Sequence, residues 1–148
     1  MDRCTAAANY HHKGYNCCQA VLASFSDLTG LSEKQSMDIA GGFGAGLQTG
    51  EICGAVAGAA MVLGLLHEID HADPVASKRR TGAFAKEFQK RFEERFGNLR
   101  CHPLLKTEIK ATPATPEAQR LGLENRCDIL IVTAVELLED MIKEETNL

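Results

Sequence analysis

Cysteines are the residues of this 148-residue sequence with the clearest capacity for chemistry, and there are six of them. Cys17, Cys53 and Cys127 each fall within about the first turn of a predicted helix, and Cys101 lies just before another. Free backbone N–H groups at a helix start stabilise an anion, so they lower the pKa of a thiol and favour the thiolate. Because the thiolate attacks disulfides and binds metals, these four positions predict redox or metal chemistry.

A structural role is the alternative for each cysteine, since a buried free cysteine often behaves as a small apolar residue. The sequence contains no C-x-x-C pair, the usual local signature of a structural zinc site. Ligands from separate elements would therefore have to be assembled by the fold. Arg100, His102 and Arg126 flank Cys101 and Cys127, and their charges would favour the thiolate forms.

The segment HEIDH, which runs from His67 through Glu68 to His71, matches a second chemical pattern. On a helix, H-E-x-x-H places two imidazoles on zinc and supplies a glutamate as the base of a hydrolase. Here the Asp73-Pro74 step breaks the helix soon after the second histidine, because a residue before proline is pushed out of helical geometry. A simple polar helix end is therefore the preferred interpretation of this segment. A zinc hydrolase is kept as the third hypothesis for the function of the protein.

The glycine-rich run GGFGAGLQTG, which starts at Gly41, lacks the strand and the Lys-Ser or Lys-Thr of a phosphate-binding loop, so it predicts a close-packed turn. It leads into residues 52–66, which carry no charge and no proline. A segment that is apolar on every side predicts a buried helix. Gly54, Gly58 and Gly64 each cost about 1 kcal/mol of helix propensity, and close approach of neighbouring backbones is the expected compensation.

The elements around this central helix are also predicted to be helical. Asn16 and Ser32 are candidate N-caps, and Pro74 and Gly97 suit the first turn and the end of a long helix. A four-residue repeat of Phe84, Phe88, Phe92 and Phe96 along that helix predicts core packing. The predicted helices cover 2–12, 17–30, 33–40, 74–96 and a last one from about 124, while 98–116 is expected to be irregular apart from a helical turn at HPLLK. With no convincing strand, the sequence predicts an all-α, single-domain helical bundle around a buried Gly/Ala-rich central helix.

The charge and hydrophobicity of the sequence limit the classes of molecule to which the protein is expected to bind. The formal net charge of −4 gives no basic surface, so nucleic acid is not an expected partner. The start of the sequence lacks the pattern of a secretory signal, and no stretch is long and apolar enough to predict membrane insertion. We therefore expect a cytoplasmic protein with reduced cysteines. The apolar faces of the predicted helices are also compatible with a homodimer.

Four segments stand out along the chain: YNCCQAVL, GGFGAGLQTGEICGAVAGAAMVLGLL, ERFGNLRC and NRCDILIVTAVELLE. Together they resemble the C_GCAxxG_C_C family, whose members are assigned to redox chemistry. The resemblance covers nearly the whole chain in the expected order and implies one domain of this type over 1–148. It places the four recurring cysteines of the family at Cys17, Cys53, Cys101 and Cys127. A related domain in split-Soret cytochromes is associated with an iron–sulfur cluster, so the resemblance implies redox or metal chemistry at these four residues.

Cys18 departs from the family pattern, in which the residue after the first cysteine is usually small. Side chains of adjacent helical residues diverge by about 100°, so one of the pair faces a shared site. The family register selects Cys17, with Cys18 as a substitute or a resolving thiol. Cys4 has no family counterpart, and His11 and His12 are expected at the surface.

The leading hypothesis is a small redox protein, either an oxidoreductase or an electron-transfer protein. In it the four family cysteines ligate an iron–sulfur cluster or another metal, or exchange thiol and disulfide states without a cofactor; the redox partner is unknown. From a different class, the chain is a non-enzymatic small-molecule binding module with structural cysteines and a pocket lined by the glycine-rich turn.

Overall fold

The computed structural model describes residues 1–106 and 115–146. In these ranges the secondary structure consists of helices, one tight turn and one isolated β-bridge, so the predicted all-α fold is confirmed. The predicted irregular stretch lies partly in 107–114, outside the described residues. The helices are α1 (Arg3–His12), α2 (Cys17–Ser24), α3 (Ser26–Thr29), α4 (Glu33–Ala40), α5 (Gly54–Leu66), α6 (Pro74–Phe96), α7 (Cys101–Lys106), α8 (Pro116–Arg120) and α9 (Arg126–Thr146).

Helix α2, which carries the first site cysteine, has a well-defined start. The Asn16 side chain accepts a hydrogen bond from the Gln19 backbone N–H at 2.8 Å, and the Gln19 side chain accepts one from the Asn16 N–H at 2.8 Å. Two orphan N–H groups are thereby satisfied reciprocally, as in a capping box. Ser32 caps α4 in the same way, and Gly97 ends α6 in the left-handed conformation, so these boundaries are confirmed.

The helix predicted over 17–30 is divided at Phe25 into α2 and α3. On either side of the break, the Ser24 hydroxyl donates to the Val21 carbonyl at 2.7 Å, and the Ser26 hydroxyl donates to the Ala23 carbonyl at 2.8 Å. Serine hydroxyls that bond to carbonyls of the preceding turn compete with the backbone ladder and bend helices. The periodicity of the apolar residues alone does not reveal this break.

The core lies where α2, α5, α6 and α9 pack together, with α1 and α4 covering α2. Phe88 and Phe92 are fully buried, which confirms core packing for the aromatic stripe of α6. Helix α5 contacts α2, α6 and α9 and buries its N-terminal half, while Leu65 near its C-terminus is 36% exposed. Within the described ranges, no helix combines the length and apolar character needed to cross a membrane.

Two glycines of α5 allow α2 to approach closely. A β-carbon at Gly58 would lie 2.9 Å from the Cys18 carbonyl oxygen and 3.1 Å from Cβ of Val21. A β-carbon at Gly54 would lie 3.1 Å from the Cys18 backbone nitrogen. At Gly64 no atom lies within 4 Å of such a β-carbon, so the predicted close approach is confirmed at the first two glycines and wrong at the third.

Candidate functional site

Four cysteines line a single cavity of about 260 Å³, which we call the four-cysteine cavity. Cys17 is the first residue of α2, Cys53 is the N-cap of α5, Cys101 is the first residue of α7 and Cys127 is the second residue of α9. The fold thus brings together, from four separate helix starts, the four thiols selected from the sequence. The remaining lining residues are mainly apolar or uncharged: His11, Asn16, Ala45, Gly54, Leu105 and Leu130.

An antiparallel β-bridge between Ile52 and Arg100 holds two of these helix starts side by side. The Cys53 N–H donates to the Leu99 carbonyl at 2.8 Å, and the Cys101 N–H donates to the Glu51 carbonyl at 2.6 Å. The position of Cys101 relative to Cys53 is therefore set by backbone hydrogen bonds.

A tight turn, Gly46–Gly50, packs directly on Cys101. It is closed by a hydrogen bond from the Glu51 N–H to the Gly46 carbonyl at 3.0 Å. A β-carbon at Gly46 would lie 2.8 Å from Cβ of Cys101, and one at Gly50 would overlap the His102 ring. The predicted close-packed turn is therefore present, and its glycines leave room for the start of α7.

This turn is strained. Ala45, Leu47 and Gln48 have φ values of 50°, 58° and 67°, in the left-handed region. For residues with a side chain this conformation costs roughly 1–2 kcal/mol each. Such strain persists only where the surroundings over-determine the backbone, and it is concentrated at functional sites.

Cys17 and Cys127 form the most strongly interacting pair of the cavity. A hydrogen bond from the Cys17 thiol to the Cys127 sulfur lowers the pKa of Cys127 to about 6 and raises that of Cys17. Burial and the neighbouring Asp128 oppose ionisation of Cys127, whereas His11 and Arg126 favour it. Within this pair, the thiolate form is therefore favoured on Cys127.

Burial dominates at the other two cysteines. The pKa of Cys53 is raised to about 11 by desolvation, although the N–H groups of Ala55 and Val56 at the start of α5 work in the opposite direction. Burial, followed by the charge of Cys127, also raises the pKa of Cys101. The expectation that helix starts lower the thiol pKa is therefore wrong at Cys17, Cys53 and Cys101, whose pKa values are raised. The pKa of Cys127 is lowered, but by the hydrogen bond from Cys17 and not by backbone N–H groups of α9.

No three sulfurs of the cavity, among the described residues, lie within 4.8 Å of one another. Among the described residues, three metal-ligating atoms lie within 4.8 Å of one another only at Asp2, Cys4 and Glu117. A single tetrahedral zinc with Zn–S bonds of about 2.3 Å would hold its sulfurs about 3.8 Å apart. The sulfurs of the cavity are therefore not arranged as the ligands of a single tetrahedral ion. At the Asp2 cluster, Arg120 pairs with both carboxylates and already offsets their charge.

The remaining cysteines lie outside the cavity. Cys18 is fully buried, and its thiol lies 3.8 Å from the sulfur of Met61 on α5. It therefore points away from the space that Cys17 faces, as expected for adjacent helical residues. Cys4 on α1 is also buried.

The HEIDH segment does not form the helical zinc motif. Helix α5 ends at Leu66, so the two histidines do not share a helix face. The ring nitrogens of His67 lie 2.7 Å from the Leu63 carbonyl and 2.8 Å from Glu145, and its ring stacks on Phe84. The zinc-hydrolase interpretation thus loses the helix on which it depends.

One group at the site was missed by sequence reasoning. His11, expected at the surface, lines the cavity, and its Nδ1 lies 2.5 Å from Oδ1 of Asp128. His12 Nε2 lies 2.8 Å from Oδ2 of the same carboxylate, which is only 6% exposed. The two histidines lie far from Asp128 in the sequence. The only local signal was the presence of Asp128, an acidic residue, at the start of the apolar stripe of α9.

Comparison with known families gives one match: the family described as "Putative redox-active protein (C_GCAxxG_C_C)" matches residues 15–141. The chain belongs to the C_GCAxxG_C_C family. All four cysteines of the cavity lie in the matched range, so the resemblance inferred from the sequence is confirmed. No curated protein and no solved structure matches the chain. The family description supports redox activity for this C_GCAxxG_C_C protein and names no metal, substrate or partner.

Proposed function

We propose that this C_GCAxxG_C_C protein is an electron-transfer protein in which Cys17, Cys53, Cys101 and Cys127 hold an iron–sulfur cluster. The observation that carries the proposal is the convergence of four thiols from four helix starts on one cavity. Four cysteine thiolates are the usual ligand set of such clusters, whose bound form supplies one-electron transfer. A dithiol mechanism would need only two of the four.

The surroundings of the thiols fit such a group. In the described part of the chain, no three sulfurs of the cavity lie within 4.8 Å of one another, a spacing that is compatible with a group of several metal ions. Leu105 and Leu130 supply apolar surface to the cavity, and Leu130 is buried. The N–H groups of Ala55 and Val56 point to the Cys53 sulfur and stabilise negative charge on it. Hydrogen bonds to ligand sulfurs and low solvent exposure are the levers by which proteins set cluster potentials.

The direct test is the iron and acid-labile sulfide content, with the visible spectrum, of protein purified without oxygen. We expect iron, sulfide and visible absorbance, and we expect Cys→Ala replacement at any one of the four positions to reduce all three. Cys18→Ala is the matched control, because Cys18 is adjacent to Cys17 but outside the cavity. A colourless wild-type protein that takes up no iron and sulfide on reconstitution would contradict the proposal.

A thiol/disulfide function is the second candidate, because the hydrogen bond from Cys17 lowers the pKa of Cys127 and favours its thiolate form. In this reaction the Cys127 thiolate attacks a substrate disulfide, forms a mixed disulfide and releases one substrate thiolate. Cys17 then loses its proton and attacks the Cys127 sulfur, which closes a Cys17–Cys127 disulfide and releases the second substrate thiol. The substrate gains two electrons, and an external dithiol must reduce the pair again.

Replacement of single cysteines separates the two candidates. The dithiol mechanism predicts that disulfide reduction is lost in Cys17→Ala and Cys127→Ala and retained in Cys53→Ala and Cys101→Ala. Mass spectrometry of the oxidised protein would show a disulfide between Cys17 and Cys127. If no metal binds and the thiols are inert under native conditions, the non-enzymatic binding module is favoured instead.

A further inference from the structure

Two arginines occupy equivalent positions beside the four-cysteine cavity. Arg100 directly precedes Cys101, the first residue of α7, and Arg126 directly precedes Cys127 at the start of α9. Each guanidinium carries a positive charge that no physiological pH removes. The sequence presents the two cations as equals, whereas the structure gives them different surroundings.

Arg100 is paired and exposed. Its Nε lies 3.1 Å from Oε2 of Glu51, its Nη2 lies 3.0 Å from Oε1, and its side chain is 55% exposed. Water and the neighbouring carboxylate therefore weaken the field that this guanidinium exerts at the cavity. The pKa of Cys101 agrees with this, because burial and then the charge of Cys127 raise it.

Arg126 is half-buried and has no partner for its inner nitrogen. Its Nε is buried without a hydrogen-bond acceptor among the described residues. Asp128, two residues further along α9, pairs with His11 and His12 instead. A buried N–H without an acceptor is unfavourable, so its occurrence in a folded protein requires an explanation.

The position of Arg126 beside the cavity supplies that explanation. The pKa of Cys127 is lowered chiefly by the hydrogen bond from Cys17, and further by His11 and Arg126. An iron–sulfur core bound by four thiolates carries a net negative charge, and reduction adds one more electron to it. Buried negative charge requires a positive charge nearby. Among the described residues that line the cavity, His11 is the only basic one, and its Nδ1 lies 2.5 Å from Asp128.

We propose that Arg126 compensates the negative charge of the group held by the four cysteines and raises the reduction potential of that group. This inference rests on the proposed function, and Arg126 acts through its electric field without ligating the group. In the redox step an external one-electron donor reduces the bound group, and a nearby cation that water screens only in part favours the reduced state. Net charge is one of the factors that set the potential of a cluster. Arg100 contributes little, because its charge is paired and hydrated.

Equilibrium redox titration of the anaerobically purified protein, followed by the visible spectrum, tests the role of Arg126. We expect a lower reduction potential in Arg126→Gln than in the wild type, because the variant lacks the cation that favours the reduced state. Arg126→Lys keeps the charge and should restore most of the wild-type potential. Arg100→Gln is the matched control and should change the potential much less. The shift in Arg126→Gln should persist at high ionic strength, since a partly buried charge is screened less than an exposed one.

The failures of the two proposals are distinguishable. A wild-type protein that binds no iron and sulfide overturns the proposed function and this role of Arg126 together. A cluster with the same potential in the wild type and in Arg126→Gln, or an equal shift in Arg100→Gln, overturns the role of Arg126 alone.

The stability of the cluster in the two Arg126 variants gives a second measurement, with circular dichroism as the check that both variants fold. Loss of the cluster from Arg126→Gln, with retention in Arg126→Lys, supports the proposal, because the positive charge is then what the site requires. Loss of the cluster from both variants would show that charge is not the required property and would overturn the proposal.

Discussion

Gly58 lies where α5 and α2 approach most closely, and replacing it with alanine tests whether this approach depends on the missing side chain. The new β-carbon would lie 2.9 Å from the Cys18 carbonyl oxygen and 3.1 Å from Cβ of Val21. The first atom belongs to the backbone of a buried helix and cannot rotate away. Gly64, on the same helix, has no atom within 4 Å of its added β-carbon and provides the matched control.

The two substitutions share one energy term and differ in another. Alanine gains about 1 kcal/mol of helix propensity over glycine at either position. Overpacking a well-packed core costs about 1–3 kcal/mol, and it applies at Gly58 only. We therefore expect Gly64→Ala to stabilise the fold by up to about 1 kcal/mol and Gly58→Ala to destabilise it by about 1 kcal/mol. Their difference, about 2 kcal/mol, corresponds to roughly 4–8 °C in Tm for a chain of this size.

Urea and thermal unfolding of the reduced, metal-free protein, followed by circular dichroism, measures both effects. Equal m-values for the variants would show that the denatured states remain comparable. If Gly58→Ala is as stable as Gly64→Ala, the contact between α2 and α5 is not close enough to exclude a methyl group, and the packing argument fails. Because this contact brings Cys17 close to Cys53, we also expect Gly58→Ala to weaken metal retention.

Three further predictions concern the site and its surroundings. Alkylation of the reduced, metal-free protein with iodoacetamide, mapped by mass spectrometry, should reach half of its maximal rate at Cys127 near pH 6, whereas the rate at Cys53 should still rise towards pH 11. Parallel profiles for the two cysteines would contradict the assigned environments. Leu47→Gly should stabilise the fold by about 1 kcal/mol, because the Leu47 side chain is 56% exposed and its left-handed backbone conformation is free of strain in glycine. A lower midpoint of urea unfolding for this variant would refute the prediction. The double replacement of His67 and His71 by glutamine should leave metal content unchanged, and loss of metal would restore the hydrolase interpretation.

The fold was predictable because its boundaries are encoded locally. Asn16 and Ser32 cap helices through side chains three residues from their partners, and Pro74 starts α6 with the φ angle that a helix requires. The prediction was incomplete in two places. The break at Phe25 is flanked by two serine hydroxyls that bond to carbonyls three residues back, which the apolar periodicity does not show. Helix α8 follows a stretch in which prolines gave no periodic pattern.

The four cysteines that line the cavity were predictable as candidate residues, but their pKa values were not. The helix starts and the family pattern identified the cysteines, whereas their ionisation depends on burial, which spacing does not reveal. Cys53 illustrates this, because the N–H groups at its helix start are outweighed by desolvation. The contact between His11 and Asp128 joins residues 117 positions apart, so no local pattern contains it. The β-bridge that holds Cys101 beside Cys53 is invisible for the same reason.

Because each cavity cysteine begins a different helix, any group bonded to all four acts as a cross-link of the chain. It closes three successive loops, each of a few dozen residues, between Cys17 and Cys127. In the chain-entropy treatment of disulfides, closing one loop of this size removes about 4 kcal/mol of freedom from the unfolded state. Stability and occupancy of the cavity are therefore linked, and a chain that loses the bound group also loses the constraint that ties α2, α5, α7 and α9 together.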